Sequence, residues 1–229
     1  MMLDLDALRG APVQTEPYRW ARVQDLVATE HAPRLQREFP GDRYRVVKGG
    51  DAEKSYSYLA RGLVRMDGGL SDVDALSPAW QQLAAELAGP ELAAAVSDVL
   101  EIDVTAVPRE CNAMVYGPGD DLGSHTDLPD KLATIVVYLT PPGVRGGQFC
   151  VLGSADPYDR VAEIEPTTGA SVLFRRSDTS WHAVAPVAAD TPHPRQNLTL
   201  TFYRPGSVST MWPPGAEFEL VEAGRAGVS

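Results

Sequence analysis

Only two cysteines, Cys111 and Cys150, occur in 229 residues, which excludes the disulfide framework that staples small secreted domains. Both sit in apolar, strand-like contexts and are expected to be buried, reduced thiols. Basic residues are also scarce: 20 Lys and Arg stand against 31 Asp and Glu, for a formal net charge of −11. Gripping nucleic-acid phosphates or an anionic membrane surface needs a cationic patch, so the balance points to a small soluble ligand, with neither nucleic acid nor membrane as partner. Long hydrophobic runs are missing too. The longest strongly apolar stretch, Leu132 to Leu139, is far too short to span a bilayer. Met1 to Gly10 carries Asp4 and Asp6 without a basic flank ahead of an apolar run, so no signal peptide is expected and the protein reads as cytoplasmic. The length suits one domain, residues 1–229, able to bury a core. Oligomeric state leaves no mark in the sequence.

No repeat, low-complexity tract or linker interrupts the chain. Residues 1–106 read as mostly helical support. Tyr18 to Glu38 carries Trp20, Val23, Leu26 and Val27 at helix-like spacing, closed by Pro40-Gly41. Ser77-Pro78 starts a helix that Gly89-Pro90 stops, and a second follows from Glu91 to Leu100. The stretch Gly49 to Gly69 fits neither period. From about Val107 the texture changes to short strands separated by Pro and Gly turns. Eight are expected: Glu110 to Tyr116, Leu122 to Thr126, Leu132 to Thr140, Gln148 to Leu152, Arg160 to Ile164, Ser171 to Arg175, His182 to Val187 and Arg195 to Arg204. This pattern predicts a mainly β (α+β) protein: a double-stranded β-helix or jelly-roll core over 107–212, packed on N-terminal helices, with a C-terminal tail over 213–229.

Strand alternation separates two faces. Cys111, Ala113 and Val115 oppose Glu110, Asn112, Met114 and Tyr116, and Leu198, Leu200 and Phe202 oppose Arg195, Asn197, Thr199, Thr201 and Tyr203. The apolar faces can pack on helices. Polar faces turned into a jelly roll imply a hydrated cavity.

Histidine is the last scarce residue, four in all. His31 and His193, in a polar helix and a Pro-flanked loop, read as surface residues. His125, with Asp127 two residues on and His182 fifty-five residues beyond that, is different. A strand puts i and i+2 on one side, so His125 and Asp127 can reach one ion. Two imidazoles and a carboxylate on one octahedral face leave the opposite face open, the arrangement of non-haem Fe(II) oxygenases. Arg195, thirteen residues past His182, then points inward beside the metal.

His125, Asp127, His182 and Arg195 in this order resemble the prolyl-hydroxylase-like branch of the Fe(II)/2-oxoglutarate dioxygenases. Tyr116-Gly117-Pro118-Gly119, Thr134 to Leu139, Gly146-Gly147 and Gly169 to Phe174 match as well. A narrower likeness, through Leu128-Pro129-Asp130-Lys131, Arg176 to Val184 and Ser209 to Gly215, is to small bacterial halogenases and hydroxylases of free amino acids. The resemblance implies Fe(II) on His125, Asp127 and His182, with 2-oxoglutarate and O2 as cosubstrates. It places the distal carboxylate of 2-oxoglutarate on Arg195, helped by Tyr138 and Thr199, with Tyr116 near the chelating end; a planar guanidinium suits a carboxylate. Halogenating relatives carry Gly or Ala where Asp127 stands, so the retained carboxylate implies hydroxylation. Expected substrate contacts are Glu110 for an amine, Arg65 or Arg61 for a carboxylate, and Trp212 as a closing wall. The expected activity is hydroxylation of an unactivated C–H in a small amino-acid-like molecule, with release of succinate and CO2. Nucleotide or peptidyl-prolyl hydroxylation is the alternative within the superfamily, and a non-catalytic ligand-binding or metal-sensing jelly roll the alternative outside it.

Overall fold

The alternation of residues 195–203 decides where core and cavity lie. The computed structural model describes residues 1–50 and 55–225. In it Leu198, Leu200 and Phe202 enter the main hydrophobic core, while Arg195, Asn197, Thr199, Thr201 and Tyr203 line a cavity. The first hundred residues form α1 (Leu5–Arg9), β1 (Val13–Gln14), β2 (Trp20–Gln24), α2 (Ala32–Arg37), β3 (Tyr44–Gly50), β4 (Ser55–Val64), α3 (Pro78–Ala88) and α4 (Pro90–Leu100). Then come β5 (Arg109–Tyr116), β6 (Leu122–His125), β7 (Lys131–Tyr138), β8 (Phe149–Leu152), β9 (Arg160–Ile164), β10 (Ala170–Arg175), β11 (His182–Val184), β12 (Arg195–Tyr203) and β13 (Leu220–Val221). Each of the eight strands expected from the sequence is present, with ends within a few residues.

The strands make one curled antiparallel sheet in the order β1-β2-β10-β7-β12-β5-β4-β6-β11-β8-β9, and β3 joins through β4. Among the described residues, the broad wall, β10-β7-β12-β5-β4, and the narrow wall, β6-β11-β8-β9, share a single strand pairing, Tyr56 with Leu122, and otherwise meet through side chains such as Phe149 and Phe174. The sheet therefore folds over on itself there, and the polar faces of β5 and β12 end up inside the fold. Outside the broad wall, the helices bury Leu8, Leu35, Trp80, Leu83, Leu92 and Val96 against Cys111, Ala113, Ile135, Val137 and Leu200. This is the jelly roll on helical support that the alternation predicts. Both cysteines are free and buried, and no helix among the described residues is long and apolar enough to cross a membrane.

The N-terminal reading needs correction. Residues 1–106 are not mostly helical, since they supply four strands of the sheet. Tyr18 to Glu38 is not one helix: β2 pairs with β10 over Trp20–Gln24, and only Ala32–Arg37 is helical. Ala21 and Val23 join the main core, whereas Trp20 packs on the other side with Phe174. A period of two thus replaces the period of 3.6, because the open edge of β10 satisfies the backbone of β2. The boundaries at 106 and 213 are not structural ones either, since β13 returns from the tail to pair with β3. The ambiguous Gly49 to Gly69 stretch holds the end of β3, all of β4 and the turn after it, with 51–54 outside the described residues.

Candidate metal centre and cosubstrate pocket

β6 ends at His125 and β11 begins at His182, and the register pairs these two residues directly across the narrow wall. Asp127 follows just past the end of β6. The three side chains each offer a ligand atom, and these atoms lie within 4.8 Å of one another. The imidazole centroids are 4.3 Å apart. Each ring is oriented from behind: Nδ1 of His125 donates to the Gly123 carbonyl at 2.8 Å and Nδ1 of His182 to the Ser180 carbonyl at 2.9 Å. A carbonyl only accepts, so the proton belongs to Nδ1 and the ligating lone pair to Nε2, the tautomer that metal-binding histidines need. Phe149 stacks on the His182 ring and Phe174 leans against it.

Asp127 is buried, which alone would push its carboxyl up. The nearby Lys131 ammonium and the two imidazoles outweigh that cost, and the Lys131 hydrogen bond adds to them, so the group is held well below the ordinary carboxylate range. Lys131 Nζ lies 2.6 Å from Oδ1, and Thr134 Oγ1 donates to Oδ2 at 2.9 Å. Two oriented neutral imidazoles and one ionised carboxylate are a donor set that fits Fe(II). The residues expected to hold the metal are therefore brought together.

A cavity of about 370 Å³ opens from this cluster. At one end is Arg195, 1% exposed. Its Nε donates to the Gly147 carbonyl at 2.8 Å, Nη1 to Asn197 Oδ1 at 2.5 Å and Nη2 to Tyr138 Oη at 3.3 Å. Its guanidinium carbon lies 4.5 Å from the centre of the Tyr116 ring. Gly147 is at φ +72°, and a Cβ there would fall 2.7 Å from Arg195 Cδ, so only glycine lets the backbone approach so closely. No carboxylate stands at ion-pair distance from Arg195 among the described residues. A buried cation with only neutral partners suits an anionic ligand. Tyr138 is bonded to Arg195 and does not itself line the cavity, whereas Thr199 and Tyr116 do.

At the other end Glu110, 3% exposed, lines the cavity. It accepts hydrogen bonds from Ser209 Oγ and, at 3.2 Å, from Asn112 Nδ2. Arg65 and Arg61 are not in the cavity. Arg65 is exposed and pairs with Asp67; Arg61 pairs in register with Ala113 on the core side of the sheet and bonds Asp42. The cation that faces the cavity from the neighbouring strand is Arg45, which sequence reading missed. It donates to the Met211 carbonyl and lies 4.0 Å from the Phe218 ring centre. Trp212 does not line the cavity either; its Nε1 donates to Asn112 Oδ1 at 2.7 Å, and its neighbours Thr210 and Met211 form the wall. Lys131, from the Leu128–Lys131 segment of the narrower likeness, also lines the cavity, as do Tyr56 and Tyr58, which had no sequence signal; burial pushes the Tyr58 phenol up to about 12.

Residues 111–203, which carry the metal cluster and the Arg195 end of the cavity, match the family model of the 2OG-Fe(II) oxygenase superfamily. This core is that of a 2OG-Fe(II) oxygenase. Solved structures agree on the fold. A 2OG-Fe(II) oxygenase family protein from Burkholderia pseudomallei superposes with a TM-score of 0.56 at 20% identity, over 81% of this chain and 85% of its own. A Pseudomonas putida prolyl-4-hydroxylase gives 0.55 at 18% identity, over 87% and 96%. AviO1 from Streptomyces viridochromogenes gives 0.54 at 15% identity, over 91% and 99%. No curated protein matches the chain in sequence. The oxygenase thus uses Fe(II), 2-oxoglutarate and O2, and the reading as a non-catalytic module falls away.

Proposed function

We propose that the oxygenase hydroxylates an unactivated C–H of a small, free amino-acid-like substrate, releasing succinate and CO2. His125, Asp127 and His182 hold the iron, and Arg195, with Tyr138, Thr199 and Tyr116 around it, holds the distal carboxylate of 2-oxoglutarate. When bound, iron and 2-oxoglutarate supply the oxidising power. The protein's own task is to place the target carbon beside them and to keep water out. One observation carries the substrate class: besides Arg195 and the Asp127-bound Lys131, the cavity presents a buried anion, Glu110, and a further cation, Arg45, neither in an ion pair among the described residues. An ammonium on Glu110 and a carboxylate on Arg45 would complete both. A phosphate-rich nucleotide suits a wall containing Glu110 poorly, and a cavity of about 370 Å³ walled in part by Thr210 and Met211 suits a free amino acid better than an extended peptide. The cytoplasm, where buried thiols stay reduced, is the compartment we assign.

Succinate release, screened against free amino acids and nucleotides, tests this reading, and Glu110→Gln sharpens it. Burial pushes the Glu110 carboxyl up, and bonds from Ser209 and Asn112 offset this only in part. A carboxyl with a raised pKa loses its charge as pH falls through that raised value, where an ordinary glutamate is still ionised. Affinity for an amine-bearing substrate should therefore fall on mild acidification in the wild type. In Glu110→Gln it should be weak, on the order of tenfold or more, at every pH, and the acid limb should vanish. Unchanged KM values and an unchanged pH profile would remove Glu110 from the substrate site.

A further inference from the structure

Asp127 is gripped on three sides, more firmly than a ligand on a strand end requires. Besides Lys131 on Oδ1 and Thr134 on Oδ2, Arg176 Nε donates to its main-chain carbonyl at 3.1 Å. The turn that brings Lys131 back over Asp127 is closed by Lys131 N donating to the Leu128 carbonyl at 3.0 Å. Lys131 is only 21% exposed and lines the cavity, so its ammonium is committed to the carboxylate rather than to solvent.

The two oxygens of Asp127 are therefore not equivalent. Oδ2 carries a neutral hydroxyl donor. Oδ1 carries a full positive charge, and a divalent ion on that same oxygen would be a close neighbour of the ammonium, so the two like charges would repel. We propose that Lys131 is a positioning residue that confines Asp127 to ligation through a single oxygen, Oδ2. The inference rests on the assignment of His125, Asp127 and His182 as the iron site. Its consequence is an open face of three coordination positions, enough for a two-oxygen chelate and one further ligand. A carboxylate free to turn both oxygens to the ion would take one of them away.

Co(II) and Mn(II), bound to the full chain without substrate, are the probes. Replacing the charge, in Lys131→Met and in Lys131→Gln, should change the Co(II) absorption spectrum before any 2-oxoglutarate is added, because a second oxygen joins the metal. The same two variants, loaded with Mn(II), should bind 2-oxoglutarate at least tenfold more weakly by calorimetry. Lys131→Arg, which keeps the charge, should restore the wild-type spectrum and bring the affinity back towards the wild-type value. The proposal is overturned if both neutral variants keep the wild-type spectrum and affinity, or if Lys131→Arg behaves like them. Two variants guard against one failing to fold. A wild-type protein that takes up neither metal would instead sink the iron-site assignment, so the two failures are distinguishable.

Discussion

His182→Ala should reduce Fe(II)-dependent conversion of 2-oxoglutarate to succinate below detection while the protein still unfolds cooperatively. The imidazole pairs with His125 across the narrow wall and lies against Phe149 and Phe174, so truncation leaves a small gap but removes one of three ligands. The main core, built by β5, β7, β12 and the helices, lies on the other face of the broad wall and is untouched. The loss should therefore appear in turnover and metal uptake, with only a modest shift in melting temperature. Metal titration with thermal unfolding on the same sample reads both, and full turnover by the variant would defeat the assignment.

Arg195→Ala should weaken 2-oxoglutarate binding by roughly 2 to 3 kcal/mol, on the order of 30- to 150-fold, as expected for the loss of a charge-assisted, two-bond grip on a carboxylate. The site is prepared for that grip: Nε is spent on Gly147, while Asn197 and Tyr138 hold the guanidinium from its far side. Lys in its place keeps the charge but not the fork, and should recover only part of the affinity. A calorimetric titration showing unchanged affinity would move the role to another cation. Arg175 is exposed and bonds the Glu101 carbonyl, so that cation would be Arg45 or Lys131, which line the cavity.

How much of this was legible in the sequence depended on the range of the signal. His125, Asp127, His182 and Arg195 were, because each sits on or beside a strand whose face is fixed by alternation, and burying the apolar face turns the polar one inward. Cys111, Ala113 and Val115 are buried and Glu110, Asn112 and Tyr116 line the cavity for the same reason. Trp20, Val23, Leu26 and Val27 misled, because four apolar residues over eight positions satisfy a helix stripe as well as a strand followed by a turn. Only the edge of β10, about 150 residues away, decides between them. The substrate residues were least legible. Arg45 faces the cavity because β3 pairs with β4 and β4 with β5, and Met211 rather than Trp212 forms the wall because the indole is drawn to Asn112. No local pattern encodes a contact between segments so far apart.

The most direct test of hydroxylation of a small amino-acid-like molecule is mass spectrometry of the product. Fe(II), 2-oxoglutarate and ascorbate are supplied in excess chloride, with a panel of free amino acids and nucleotides. Asp127 is present, is ionised and is clamped by Lys131 and Thr134, so its oxygen fills the position a halide would need. The expected result is an amino acid heavier by one oxygen, formed with one succinate per turnover. A chlorinated product, or succinate release stimulated by nucleotides alone, would contradict it.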